Sequence, residues 1–271
     1  MACISLILTP EVLLSVREFW FEHLSGPDAF IIPSTEDNKR WFFGGPEFDK
    51  HCVERFGPTL AAIRSRGITS GHDIVYALQP TDSHDWLSLV LLLDQIPRNC
   101  FRGESSSAVF TYWDPMARDV ALAALDRGIP DRWPEMRWRF ACRMWFYVPL
   151  MHSEDARLHE LAVAKYQLLA RDVESLLLTS SEKKKNKKAN GDDEESDVDD
   201  EYTYRLAAQK VVQMNPDAAR EYAQLNLGFE ERHWAILQRF GRYPHRNGVL
   251  GRETTEEERE YLDNGGDTFG G

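Results

Sequence analysis

The chain has 271 residues, of which 42% are hydrophobic, 28% charged and 11% aromatic, and its formal net charge is −12. This composition is typical of a globular protein, and the length fits one large domain or two small ones. The negative charge argues against a surface that binds nucleic acid, because such a surface needs a concentrated basic face. No apolar run approaches the roughly 20 residues that a membrane-spanning helix requires.

The cysteines indicate a reducing compartment. The four cysteines are Cys3, Cys52, Cys100 and Cys142, and their spacing is too wide for a short metal-binding motif. The amino terminus lacks the positively charged segment with which a signal peptide begins. We therefore expect reduced, mostly buried thiols in a cytoplasmic protein that does not bind a membrane.

Hydrophobic spacing predicts helices along almost the whole chain. The first begins at Thr9-Pro10, where a capping residue precedes a proline at the first helical position. Almost no segment alternates with period two, so the fold class is predicted to be all-α, with about eight to ten helices. The further predicted segments are 46–67, 83–97, 108–127, 134–150, 154–178, 202–240 with an interruption near 215–216, and 255–263.

One of these segments is predicted to lie at the centre of the fold. Seven of the eight residues from Trp86 to Leu93 are apolar and surround the helix on all sides. A helix with no polar face must be enclosed by other elements. Ser83 is the expected cap of this helix, and a buried parallel strand is the alternative interpretation.

Residues 179–201 interrupt the helical pattern. A lysine-rich stretch, Lys183–Lys188, is followed by eight acidic residues within 192–201, and Val198 alone could enter a core. This composition predicts a disordered charged insertion within a single helical domain that spans residues 1–271. The lysines would also suit nuclear targeting, as an alternative to a solvated loop.

Three polar stretches lie at predicted helix ends and are the candidate site. The first follows the central helix, where Asp94 and Arg98 are four residues apart and would form an enclosed ion pair. Arg98 and Arg102 could instead present two guanidinium groups to an anion at the mouth of a cavity. The structural alternative is that a buried ion pair in this stretch only stabilises the end of the helix.

The second stretch is Tyr147–Asp155 and the third is His233–Thr255. Ser153 is predicted to cap the helix that follows it, but capping does not explain His152, which could act as an acid or base with Glu154 nearby. In the third stretch a helix ends at Gly241, and a cluster of polar residues follows: Arg242, His245, Arg246, Asn247 and Arg252.

The ordered strings RWFFGGPEFD, LLDQIPRNCFRG, FYVPLMHSED and ILQRFGRYPHRNGVLGRETTEEEREYL resemble the bacterial and fungal family catalogued as domain of unknown function 924. The resemblance covers about residues 10–263 without the insertion. It implies an all-α superhelix related to tetratricopeptide-like arrays, and it assigns no reaction. The family pattern matches Asp94, Arg98, Asn99, Arg102, Gly103, His152, Ser153, Glu154, Arg242, Pro244, His245, Arg246 and Asn247.

Two functions compete on these residues. The first is an enzyme or binder of a small anionic molecule, with His152, Glu154 and His245 as catalytic groups. Its expected substrate-binding residues are Asp94, Arg98, Asn99, Arg102, Arg242, Arg246 and Asn247. The second is a non-catalytic helical scaffold that holds a protein or peptide in an aromatic groove.

A pocket should bring the charged residues together, whereas a scaffold should scatter them as separate ion pairs. The expectation that follows is that His152, Glu154, His245 and Arg246 meet in one pocket. A metal site drawn from His152, Glu154, His233 and His245 is a variant of the first function, although no metal-binding spacing supports it. The sequence identifies no cofactor, and nucleic-acid binding ranks last.

Overall fold

The computed structural model describes residues 4–178 and 197–269, and of residues 197–199 it describes the backbone alone. Within these ranges the regular secondary structure is helical and contains no strand, so the predicted all-α class is confirmed. In chain order the helices are α1 (Pro10–Phe21), α2 (Thr35–Phe42), α3 (Gly45–Ser65), α4 (Gly71–Leu78), α5 (Ser83–Cys100), α6 (Asp114–Asp126), α7 (Ile129–Arg132), α8 (Pro134–Arg137), α9 (Phe140–Arg143), α10 (Val148–Met151), α11 (Ala156–Leu177), α12 (Asp197–Met214), α13 (Pro216–Phe240) and α14 (Glu256–Asp263).

Local capping chemistry sets several helix ends. Thr9 caps α1 ahead of Pro10, as predicted, and Thr255 and Glu258 form a capping box at the start of α14. Two caps differ from the prediction by one or two positions. Asp82 rather than Ser83 caps α5, and Asp155 rather than Ser153 caps α11, because a carboxylate at each of those positions reaches the second amide after it.

Helix α5 is the centre of the fold. Every residue from Trp86 to Pro97 is buried, and the helix packs against α1, α3 and α6. The prediction of an enclosed central helix is therefore confirmed. Among the helices of residues 4–178 and 197–269, none has the length and apolar run that crossing a bilayer demands.

Aromatic side chains fill the space between the amino-terminal helices and the 129–151 region. Trp145 makes edge-to-face contacts with Trp20 and Trp41, with ring centroids 5.1 and 5.3 Å apart, and all three are buried. Pairs with this geometry stabilise a core beyond their buried area. The tryptophans at these positions are therefore core residues rather than groove anchors.

The segment predicted as one helix over 134–150 is instead a series of short turns. Helices α8, α9 and α10 have four residues each, and Trp133 and Arg139, which precede α8 and α9, have non-helical backbone angles. Helices α2 and α4 were not predicted, because each is only eight residues long.

Among the described residues, ten helices have eight or more residues, which agrees with the predicted eight to ten. Counting the four-residue helices as well raises the number of helices above that range. The break predicted near 215–216 is the Asn215 cap between α12 and α13. Of the predicted insertion, residues 179–196 lie outside the described residues. Residues 197–201 belong to α12, so that end of the predicted insertion was placed too late.

Glu201, in the first turns of α12, contacts Trp138 and Arg137 in the body of the protein. The buried Trp138 indole N–H donates to Glu201 Oε1 at 2.9 Å. An indole N–H in a buried ring needs an acceptor, because leaving it unpaired costs free energy. Glu201 is therefore part of the fold rather than of a solvated loop.

We expect Glu201→Ala to lower the free energy of unfolding by about 1 kcal/mol, because it removes the acceptor of a buried donor. Glu201→Gln keeps an oxygen at that position and should lose less. Asp200→Ala is a matched control, since Asp200 is exposed on the same helix. Urea denaturation followed by circular dichroism measures all three, and equal stability of Glu201→Ala and Asp200→Ala would contradict the attachment.

Candidate functional site

Asp94 lies near the carboxyl end of α5 and is fully buried. Its carboxylate accepts hydrogen bonds from Gln95 Nε2 at 2.6 Å and His152 Nδ1 at 2.9 Å. Arg98 Nη2 is 3.6 Å from the same carboxylate, which confirms that Asp94 is buried and paired with this arginine. Burial alone would raise the pKa of Asp94, but His152 and Arg98 lower it to about 2.

Arg98 connects Asp94 to a second carboxylate. Helix α5 continues through Pro97 to Cys100, so Arg98 stays on the same face as Asp94, one turn later. Its Nη2 donates to Asp114 Oδ1 at 2.6 Å, at the start of α6. Arg246 Nη1 is 3.8 Å from the other oxygen of Asp114. Two acids and two arginines therefore form one buried cluster of balanced charge, the Asp94–Arg246 cluster.

His152 is the titratable group of this cluster. Burial and the neighbouring Arg98 lower the pKa of His152, although Asp94 opposes them, so the imidazole is neutral at pH 7. An ionised carboxylate can only accept, so Nδ1 carries the proton and Nε2 holds a lone pair. Among the described residues no hydrogen-bond partner contacts this Nε2. Such a nitrogen can accept a proton from a bound molecule.

A cleft of about 90 Å³ opens beside His152, and we call it cleft 1. Three arginines and three histidines line it, together with apolar and small residues; they are Arg98, Arg102, Arg246, His152, His233 and His245. Among the described residues, no carboxylate is part of its lining. With about 15 Å³ per water, the space holds about six water molecules, which suits an ion of a few heavy atoms.

The other two histidines of cleft 1 are also neutral. Burial lowers the pKa of His233 well below its ordinary value, and its Nδ1 must donate to the carbonyl of Phe229 at 2.7 Å. Burial, Arg246 and Arg98 lower the pKa of His245 to about 4. His245 Nδ1 and Arg246 Nε are buried without a hydrogen-bond partner in the described part of the chain. Cleft 1 therefore offers unused polar atoms that a ligand could satisfy.

A second cleft of about 180 Å³, cleft 2, adjoins the first. Phe110, His152 and Arg246 line both clefts. The guanidinium carbon of Arg246 lies 4.4 Å from the ring centroid of Phe110 and 4.4 Å from that of Tyr243. The guanidinium also donates a hydrogen bond to the carbonyl of His152 at 3.0 Å. Arg246 and His152 therefore stand at the junction of two adjoining clefts.

Glu154 lines cleft 2 and does not contact His152 as an orienting group. Arg252 donates to both of its oxygens, at 2.9 and 2.7 Å, and the backbone N–H of Tyr243 donates to one of them at 2.9 Å. Burial would raise the pKa of Glu154, but these hydrogen bonds lower it. The role expected for Glu154 toward the imidazole thus belongs to Asp94, because Glu154 is fixed to the carboxyl-terminal loop.

The expectation that His152, Glu154, His245 and Arg246 meet in one pocket is therefore met only in part. His152, His245 and Arg246 line cleft 1, whereas Glu154 lines cleft 2. Both clefts share His152 and Arg246, so the polar stretches do converge, although they are about 90 residues apart in sequence.

Four other expected binding residues have mainly structural contacts. Asn99 donates to the carbonyl of Gln95, and its side-chain oxygen accepts from Arg102. Arg102 lines cleft 1 at its exposed edge and also forms a two-bond ion pair with Asp49. Arg242 and the buried Asn247 both donate to Glu258 and line neither cleft. They hold α14 against the loop, and their expected role in binding stays a prediction.

A buried pair beneath the loop was not predicted. His159 Nε2 donates to the carbonyl of Ser153 at 2.8 Å, and its Nδ1 is 2.7 Å from Glu230 Oε1, with both side chains fully buried. Because both imidazole nitrogens face oxygens, one proton must lie between His159 and Glu230. Burial raises the pKa of Glu230. This pair fixes the backbone beside His152.

Asp114 was also missed, because an aspartate before a proline is a typical helix cap in sequence. Its side chain instead turns inward to Arg98. The sequence did contain a sign of burial at Asp114, because three of the four residues before it are aromatic. A buried carboxylate requires a cation, and Arg98, already paired with Asp94, is the cation that also pairs with Asp114.

In the described part of the chain, three residues have ligand atoms within 4.8 Å of one another: Asp94, Asp114 and His152. The Arg98 guanidinium already lies between the two carboxylates and supplies the positive charge that a metal would supply. The metal variant drawn from His152, Glu154, His233 and His245 does not form such a group among the described residues.

The family comparison covers the whole segment that contains the site residues. The sequence profile of the family described as bacterial protein of unknown function (DUF924) matches residues 16–266, and the chain belongs to this family. No curated protein and no solved structure gives a significant match.

We expect Asp94→Ala to lower the free energy of unfolding by about 2–4 kcal/mol, because it leaves His152 Nδ1–H and Gln95 without their acceptor. The loss of stability is smaller than it would be if Arg98 were left without any carboxylate, because Arg98 still pairs with Asp114. Asp94→Asn retains a side-chain oxygen and should lose less. Denaturant unfolding measures both, and an Asp94→Ala protein of unchanged stability would contradict the buried cluster.

The lowered pKa values of His152, His233 and His245 make stability depend on pH. Their pKa values are lower in the folded chain than in the unfolded chain, so the unfolded chain takes up more protons on acidification. The free energy of unfolding should therefore decrease as the pH falls from about 7 toward 4. His245→Gln should flatten this decrease, and the exposed His51→Gln controls for loss of an imidazole. An equal slope in both variants would contradict the assignment.

Proposed function

We propose that the protein is an enzyme that binds a small anionic molecule in cleft 1 and that His152, oriented by Asp94, is its general base. The observation that carries the proposal is a neutral imidazole with a free Nε2 on a cleft lined by three arginines. Arginine donors bind carboxylates and phosphates through charge-assisted hydrogen bonds. A neutral histidine fixed by a buried carboxylate is a standard arrangement for proton transfer.

His152 would act directly on the bound molecule or on a water molecule. Among the described residues no serine, threonine or cysteine donates to His152 Nε2, so the geometry does not favour a protein nucleophile. The proton taken by Nε2 gives an imidazolium that Asp94 stabilises. Arg98, held by Asp114, and Arg246 would place the anion beside that nitrogen. His245 is the second group able to move a proton.

The scaffold function is the second candidate, and the clustering of charges speaks against it. Asp94, Arg98 and His152 form one connected group rather than separate surface ion pairs. The anchoring role of the aromatic residues is weakened because the tryptophans that would form a groove are buried in the core. A tetratricopeptide-like arrangement of the helices and a cytoplasmic location belong to the same proposal and rest on the family resemblance and the composition.

Anion binding should be coupled to proton uptake. Burial and then Arg246 and Arg98 lower the pKa of His245 to about 4, and an anion bound among the arginines would offset their part and raise it. The bound state then holds more protons than the free state. Affinity for the anion should therefore increase as the pH is lowered from 8 to 6.

The test is titration calorimetry with butyrate and with inorganic phosphate at several pH values, in two buffers of different ionisation enthalpy. We expect His152→Gln and His245→Gln each to weaken binding by about fivefold or more while circular dichroism stays unchanged. His51→Gln is the surface control. If neither probe binds the unaltered protein at millimolar concentration, or if affinity does not rise toward pH 6, the proposal is wrong.

A further inference from the structure

Arg118 on α6 is a charged group of cleft 2 that the proposed function leaves unused. It lines the cleft, and no acid lies within ion-pair distance of it in the described part of the chain. Its charge contributes to lowering the pKa of Asp155, but no contact joins the two side chains within 4 Å. A half-buried arginine on a cleft wall without an anionic partner is an available donor for a ligand.

The other charges of cleft 2 are already matched. Asp114 accepts from Arg98 at 2.6 Å, and Glu154 is held by both terminal nitrogens of Arg252. The acids of cleft 2 therefore do not compete strongly for Arg118. Leu250, Pro115 and Pro149 supply apolar wall between these charged groups. This mixture of a few directed charges and apolar wall is typical of a small-molecule site.

The sum of the charges around both clefts also favours an anionic ligand. The carboxylates that line or face the clefts are Asp94, Asp114, Glu154 and Asp49, and the guanidinium groups are Arg98, Arg102, Arg246, Arg252 and Arg118. With neutral histidines the total is one positive charge, and Arg118 is its source. Uptake of one proton by a histidine on binding would make it two.

Phe110, His152 and Arg246 line both clefts, so a molecule with one end in each cleft would pass beside these three residues. Arg98 and Arg246 would receive one end in cleft 1, and Arg118 would receive the other in cleft 2. The combined size, about 90 and 180 Å³, accommodates a short chain with two charged ends.

We propose that cleft 2 is a second anion subsite centred on Arg118 and that the ligand of the whole site carries two separate anionic groups, one on each side of His152. This inference rests on the proposed function, because it takes cleft 1 as the first anion subsite. The class of ligand is a short aliphatic molecule with two acidic ends, such as a dicarboxylate. Its central atoms, rather than either charged end, would then lie nearest to the general base.

The experiment compares dicarboxylates of three to six carbons with monocarboxylates of equal length, by titration calorimetry on the full chain. We expect at least one dicarboxylate to bind about fivefold or more tightly than its matched monocarboxylate. Arg118→Gln should abolish this advantage and leave the monocarboxylate affinity unchanged. Arg171→Gln, at an exposed arginine on α11, is the matched control and should leave both affinities unchanged.

Each remaining outcome separates the two proposals. If monocarboxylates bind but no dicarboxylate binds more tightly, or if Arg118→Gln keeps the advantage, the second subsite is wrong and the anion site of cleft 1 stands. If neither class binds, both proposals fall. Thermal unfolding of Arg118→Gln shows whether the fold is intact, and Arg118→Lys, which restores the charge, should recover part of the advantage.

Discussion

The buried carboxylate of Asp94 is the interaction on which the rest of the site depends. An ionised acid enclosed by apolar residues is tolerated only where cations and hydrogen-bond donors surround it. Arg98 and His152 meet this requirement, and each brings a further partner, because Arg98 also holds Asp114 and the carbonyl of His152 also binds Arg246. One buried charge thereby ties α5 to the start of α6, to the turn before α11 and to the carboxyl-terminal loop.

A second set of contacts keeps that loop in place. Tyr243 donates its hydroxyl to the carbonyl of Met151 at 2.6 Å and its backbone N–H to Glu154, and the His159–Glu230 pair holds the carbonyl of Ser153 from below. These contacts fix the backbone on both sides of His152. The imidazole is therefore positioned by neighbours that cannot move independently, which is what precise placement of a general base requires. Stability and the proposed chemistry thus draw on the same polar groups.

The sequence predicted the parts of this arrangement that depend on local pattern. The central helix followed from Trp86–Leu93, and the Asp94–Arg98 pair followed from helical spacing. It did not predict which carboxylate orients His152, because Glu154 is two residues away in sequence whereas Asp94 is 58 residues away and contacts it only in the fold. The short turns of 134–150 were missed for a related reason. Their breaks lie at Trp133 and Arg139, whose non-helical backbone angles a periodic hydrophobic pattern does not reveal.

The arginines of cleft 1 disfavour protonation of two histidines, and a bound anion would oppose that effect. Burial and Arg98 lower the pKa of His152, and burial, Arg246 and Arg98 lower that of His245, so both imidazoles are neutral and able to accept a proton. An anion that pairs with the guanidinium groups cancels part of their field. The same binding event would therefore raise the basicity of His152 at the moment when a molecule lies beside its Nε2. Arginines at the rim of the cleft could attract an anion equally well. Because Arg98 and Arg246 contact the buried cluster, they would in addition change the pKa of the proposed general base.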